Sequence, residues 1–295
     1  VIHRNSAAGL SCTRLRSKGR LGSRDKEAEM RAKILLSAAL IMIGLAAGTT
    51  AVYGADYFDN KDIGSGVLHI AYDGGGKAKV IIEKGDKKYT YDINSAGYKE
   101  SFPLQLGNGN YKVSLYKNTS GNSYKLIASK SLDVKISNPN AVYLTSTQNI
   151  NWNVDSKAVA KAVELTKDID GLDKKAKVLW NYMVNNNSYD YDKLAKLPSG
   201  YLPVIDQTLA DKKGICYDFS SLYAAMLRSQ GTPAKLVKGY APKNAVGYHA
   251  WNEVYDASKK EWLIIDTTYD VQVIKRNPKV AMTKNSADFN KVYEY

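Results

Sequence analysis

The sequence predicts an α+β domain preceded by a small all-β sandwich of immunoglobulin-like type, and three observations carry that expectation. Between residues 56 and 137, short runs of alternating apolar residues are separated by glycine-rich turns. From Asp155 the apolar period becomes helical, and after Gly231 it returns to strands. Helices followed by antiparallel strands define an α+β domain.

A chain of 295 residues, 44% hydrophobic and 24% charged, has the length and composition of an ordinary globular protein of two domains. Its 22 Tyr against 4 Phe suit thin sheets whose ring tips stay wet. The formal charge of +13 is unevenly split: residues 1–54 hold nine Lys/Arg against three Asp/Glu, and the remaining 33 and 26 are spread along the chain. No basic run is interleaved with aromatics. That argues against a nucleic-acid groove and for a surface that favours anionic cell-envelope polymers.

Residues 1–29 are polar, basic and aperiodic, and read as disordered or as a mis-assigned start. Residues 30–54 read as a signal peptide. Arg31 and Lys33 form the positive end, Ile34 to Gly48 the apolar core, and Val52-Tyr53-Gly54 a site for cleavage before Ala55. The uncharged stretch is long enough to span a membrane, but no positive stop-transfer flank follows it. Cleavage gives a secreted or cell-surface protein that meets a membrane only through an uncleaved leader. Cys12 leaves with the leader, so Cys216 becomes the one thiol and no intramolecular disulfide forms.

In the β-sandwich, residues 55–137, strands are expected at 67–72, 78–84, 87–93, 110–117 and 124–136. His69 falls in one of them and reads as structural. Residues 138–154 read as a linker or an extended segment laid on the second domain, residues 155–295. There Val159, Ala162, Val163 and Thr166 share one helix face, and Gly171 breaks the run. Ala176, Leu179, Trp180, Met183 and Val184 share another, and a short helix follows from Val204 to Ala210.

The stretch from Gly214 to Gln230 carries Phe219, Leu222, Tyr223, Met226 and Leu227, the stripe of a helix packed on one side. Gly231 and Pro233 stop it. Cys216 then lies at the first turn, where unpaired N–H groups and the positive dipole end favour a thiolate. Gly214 lets the chain turn into the helix, and Asp218 reads as its cap. A free cysteine is also often a small buried apolar residue. Strands are expected at 234–241, 249–256 and 261–270, with a last one at 290–295.

A cysteine nucleophile needs a base and a group that orients the base. With His69 in the other domain, the base is His249, which opens the strand HAWNEVY. A hairpin closed within Asp256-Ala257-Ser258-Lys259 puts His249 directly opposite Asp266, close enough for an imidazole N–H to meet a carboxylate. Asp266 on an otherwise apolar strand is costly unless paired. Glu253 and Tyr255 read as cleft, packing or surface residues.

These three ordered motifs, G-x-C opening a helix, HAWNEVY and WLIIDTTYD, resemble the transglutaminase-like superfamily, a papain-like Cys-His-Asp fold. The feeder TLADKKGIC and the strand segment RSQGTPAKLVKGYA resemble it too. The resemblance spans residues 155–270. It implies Cys216 as nucleophile, His249 as base and Asp266 as orienting acid, attacking a carboxamide through a thioester with no metal or organic cofactor. It includes both cross-linking transferases and amide hydrolases, and the lack of a calcium-site signature favours hydrolysis of a protein or peptide substrate of the cell envelope. The Cys216 backbone N–H is one oxyanion donor. Gln207 and Trp180 are the side-chain candidates for a second, although Gln207 also fits an exposed helix position and Trp180 a core one. The competing class is a non-catalytic surface-binding or scaffold protein that keeps the fold.

Overall fold

Alternation of buried and exposed side chains builds the N-terminal region as two antiparallel sheets. The computed structural model describes residues 57–94, 97–241 and 247–295; the expected leader and Cys12 lie outside them. The strands are β1 (Phe58–Asp59), β2 (Val67–Ala71), β3 (Ala78–Lys84), β4 (Lys87–Ile93), β5 (Lys99–Pro103), β6 (Gly109–Ser120) and β7 (Ser123–Val134). One sheet has the order β1-β2-β5 and the other β4-β3-β6-β7. Leu68, Ile70 and Phe102 from the first meet Val80, Ile82, Tyr91 and Val113 from the second in one core. The rings of Tyr91 and Phe102 cross between the sheets at 5.0 Å. In β4 only Tyr89 and Tyr91 are buried, so ring bodies pack inward while Lys88 and Thr90 face water. β1 and β5 had no counterpart among the expected strands.

Residues 138–154 are laid against the part of the chain that follows them. Val142 and Tyr143 are buried in a 3₁₀ turn and Ile150 is fully buried. The Asn149 side-chain amide donates to the Tyr217 hydroxyl at 2.7 Å, and its backbone carbonyl accepts from Ser221 Oγ at 2.9 Å.

The helices are α1 (Lys157–Thr166), α2 (Leu172–Asn186), α3 (Tyr191–Ala195), α4 (Ile205–Asp211), α5 (Cys216–Ser229) and α6 (Thr267–Val273). The first two bury the stripes their periodicity gives, except Val163, which is 50% exposed. Short strands β8 (Ser188–Tyr189) and β9 (Lys213–Gly214) pair in parallel just before α5. A second four-stranded sheet, in the order β12-β11-β10-β13, is made of β10 (Ala234–Tyr240), β11 (Tyr248–Asp256), β12 (Glu261–Ile265) and β13 (Asn290–Glu294). All described residues belong to one compact unit. The last strand ties its two sheet regions together: Glu294 O accepts from Gln105 Nε2 at 2.9 Å, and Tyr295 lies 5.7 Å from the Tyr89 ring. Among the described residues, no helix is long and apolar enough to cross a membrane.

Three expectations are corrected. First, α5 is not packed on one side only. Every residue from Tyr217 to Arg228 is buried, because Ser220, Ser221, Ala224 and Ala225 on its second face are small enough for β10 and β11 to close over it. Second, the strand expected at 261–270 stops at Ile265, and Asp266 instead caps α6 by accepting from Tyr269 N at 2.9 Å. Third, the β11–β12 register pairs Asp256 with Glu261 and Asn252 with Ile265, so His249 is not directly opposite Asp266. The loop is longer than the hairpin argument supposed. Asp256 Oδ1 accepts from Ser258 N and Lys259 N, and Lys260 closes the loop with φ at 56°.

Candidate active site

Cys216 is the first residue of α5, and it is partly exposed where the residues from Tyr217 to Arg228 are buried. Ile215 enters in an extended conformation, and the fully buried Asp218 carboxylate accepts from Ile215 N at 2.9 Å, satisfying a donor at the helix start. Lys193 Nζ donates to the same carboxylate at 2.7 Å and the Tyr201 hydroxyl donates to its other oxygen. The sequence reading of Asp218 as a cap thus describes its role. Gly214 is needed for this arrangement: a Cβ there would stand 2.9 Å from Asp218 Cβ. With Asp218 engaged by its own cap and by Lys193, the N-terminal positive field of α5 is left for Cys216.

His249 comes from the start of β11, and it is buried with Asp266. Its Nε2 donates to Asp266 Oδ2 at 3.0 Å, while Oδ1 of the same carboxylate caps α6. The contact is therefore made from the strand-to-helix corner rather than across a ladder. Burial pulls the imidazole pKa down. The charge and hydrogen bond of Asp266, with Cys216 beside it, outweigh that and push it up to about 10. Nδ1 makes no formed hydrogen bond among the described residues, and it is the ring nitrogen left for Cys216. Such contacts are often loose before substrate arrives.

A buried amide keeps the nucleophile's helix and the base's strand in register. The fully buried Asn252 side chain donates to Ser220 O on α5 at 2.9 Å and to Lys235 O on β10 at 3.0 Å, bridging the helix that carries Cys216 and the sheet that carries His249. Gly239, opposite His249 on β10, has no room for a side chain: a Cβ would meet Asn290 O at 2.1 Å.

Residues 157–267, from α1 to the corner that holds Asp266, match the Transglutaminase-like superfamily. This segment is a transglutaminase-like domain. The chain is also similar to uncharacterized protein YebA of Bacillus subtilis, 27% identical over 177 residues, which are 54% of this chain and 23% of that one. It is 26% identical over 144 residues to UPF0252 protein MJ1282 of Methanocaldococcus jannaschii, covering 42% of this chain and 40% of that one. The chain thus spans less than half the length of either. Among solved structures it resembles a candidate cysteine protease of Cytophaga hutchinsonii (15% identity, TM-score 0.43, 78% of this chain and 80% of that one). It also resembles the periplasmic domain of TgpA of Pseudomonas aeruginosa (16% identity, TM-score 0.36, 71% and 70%).

Neither candidate for a second oxyanion donor in the transglutaminase-like domain is aimed at Cys216. The Trp180 indole N–H donates to Asp270 Oδ2 at 2.8 Å inside the core. Gln207 is exposed on α4 and donates to Asp211 at 2.6 Å. Trp180 has another task. With Lys284, whose Nζ lies 2.6 Å from Oδ1, it holds the buried Asp270 one turn past Asp266 on α6. Burial raises the Asp270 pKa to about 6 against those two partners, so α6 is anchored by a carboxylate that needs both. The sequence reading passed over Asp270, Asn252 and Lys238. Asp270 sits four residues after a helix-capping Asp and had a local signal; Asn252 and Lys238 are read only through tertiary contacts.

Proposed function

We propose that this protein is a cysteine acyl-transfer enzyme that opens carboxamides through Cys216, His249 and Asp266. The observation that supports it is the buried His249–Asp266 pair beside a partly exposed cysteine at the N-terminus of α5. With its pKa near 10, the imidazole holds both ring protons at neutral pH, and an imidazolium stabilises a neighbouring thiolate. Sγ then bonds to the amide carbonyl carbon and the carbonyl electron pair moves onto oxygen, which the Cys216 N–H receives. As the C–N bond breaks, His249 gives its proton to the leaving nitrogen and a thioester remains. His249, now neutral, takes a proton from water or an amine that attacks the thioester, and the thiolate leaves. Asp266 keeps the ring oriented and its charge compensated throughout.

Water is the favoured acceptor, since Cys216 is partly exposed and nothing among the described residues reserves the thioester for an amine. The substrate class is a protein or peptide, in the cell envelope if residues 30–54 act as an export leader. Mass spectrometry of a glutamine-containing peptide incubated with the protein and excess primary amine tests the reading. Cys216-dependent deamidation or cleavage supports a hydrolase; amine conjugate with little hydrolysis overturns that preference, and no turnover of any amide overturns the enzyme reading.

A further inference from the structure

Lys238 is a cationic group beside this site that the mechanism above leaves idle. It lies on β10 opposite Ala250, next to Gly239, which pairs with His249. Its ammonium stands 3.6 Å from the centre of the Tyr217 ring, the residue after Cys216, and 5.1 Å from that of Tyr295. Both rings are buried, and the lysine is partly so.

Other buried or partly buried lysines have an oxygen partner: Lys79 has Asp92, Lys193 has Asp218, Lys235 has Glu294 and Lys284 has Asp270, while Lys84 and Lys130 donate to the carbonyls of Leu106 and Phe58. The Lys238 ammonium has neither an ion pair nor a hydrogen bond among the described residues. Ring faces attract an ammonium, but they do not use its N–H donors. Burial pushes its pKa down to about 8 and the charge of Cys216 opposes that shift, so the two groups feel each other. A cation left in such a place is costly unless something anionic joins it. Once Sγ is acylated, the thiolate can no longer serve. Among the described residues no substitute is free: the groups that interact with Cys216 are the tyrosines Tyr189 and Tyr248 and the cationic His249, and the nearby Asp218 carboxylate is already held by Ile215 N, Lys193 and Tyr201.

We infer that Lys238 is a specificity residue that receives a carboxylate of the substrate close to the amide under attack, so that the preferred substrates are acidic peptides. The inference rests on the proposed use of Cys216, and alkylation by two matched reagents separates the two claims. In both, Sγ bonds to the methylene carbon and iodide leaves; iodoacetate carries a carboxylate and iodoacetamide does not. Rates at Cys216 are read by peptide mass spectrometry at about pH 6, where Lys238 is charged.

His249 attracts iodoacetate in the wild type and in a Lys238 variant alike, so the change in the iodoacetate-to-iodoacetamide ratio decides. We expect Lys238→Met to lower that ratio about tenfold, the lower end of what a focused charge contributes in a cleft, and Lys238→Arg to retain most of it. A ratio within about twofold of wild type in Lys238→Met, with iodoacetamide still fast, overturns the inference and leaves the enzyme reading intact. Slow iodoacetamide alkylation of the wild type overturns the enzyme reading instead. Should Lys238→Met not fold, protection of the wild-type thiol decides. N-acetylglycine presents a terminal carboxylate and N-acetylaspartate α-amide a side-chain one. The stronger protector names the source, and protection no better than by N-acetylglycinamide overturns the inference.

Discussion

His69 and His249 have similar polar partners in different surroundings. In the sandwich, His69 Nδ1 lies 2.9 Å from Ser101 Oγ and Nε2 lies 2.6 Å from Asp62 Oδ2. At the candidate site, His249 Nε2 lies 3.0 Å from Asp266 Oδ2 with Cys216 beside the ring. By residue type and distance alone the first is the better-formed relay. The side chain of Asp62, however, is 49% exposed, against 1% for Asp266, and water screens its charge. Ser101 stands within β5, opposite His69 on β2, whereas Cys216 has the N-terminus of a 14-residue helix behind it. The difference teaches that burial and the field around a hydrogen-bonded pair, more than its length, decide whether it can hold a reactive charge.

The largest test of that contrast is on activity. Cys216→Ala should abolish amide turnover, a loss of at least about 10³-fold, while Ser101→Ala should leave it within about twofold in the same assay. Asp266→Asn keeps an oxygen to cap α6 but loses the charge, and turnover should fall by about 10⁴-fold at neutral pH; Asp62→Asn should change it little. On stability, Asp266→Ala leaves a buried imidazolium unpaired and uncaps α6. It should cost about 3–5 kcal/mol in urea unfolding, against about 0–1 kcal/mol for Asp62→Ala. The smallest effect lies behind the site. Trp180→Phe removes one donor from Asp270 and should cost about 1.5–3 kcal/mol without changing which residue is alkylated.

Linkage gives the same contrast a pH axis. The folded-state pKa of His249, about 10, lies above its ordinary value of 6.5, so the pair's contribution is complete below 6.5 and is lost as pH rises through about 10. The stability gap between wild type and His249→Phe, followed by urea midpoint, should therefore shrink over that window. A gap constant across it would mean that the ring is held for packing alone.

Much of this was legible in the sequence, and the exceptions share a cause. The buried faces of α1 and α2, the start of α5 and the strands around them follow from apolar spacing, which local geometry enforces. His249 and Asp266 meet, but not across a ladder as the strand pattern predicts: DTTYD is a helix cap followed by a helix, and the four-residue turn at Ala257–Lys260 moves the register by two. The pair still meets because the corner swings the carboxylate back toward β11. Lys238 could not be read at all, since its surroundings come from Tyr217 on a helix and Tyr295 at the end of the chain.

The central claim is that His249 holds Cys216 in a reactive state, and iodoacetamide alkylation of Cys216 across pH tests it most directly. The account predicts alkylation that stays fast at about pH 6 in the wild type and in His69→Ala, and slows at least about tenfold in His249→Ala. Alkylation that is slow at that pH in the wild type and unchanged by His249→Ala would contradict it, and would make Cys216 a structural residue of the helix start.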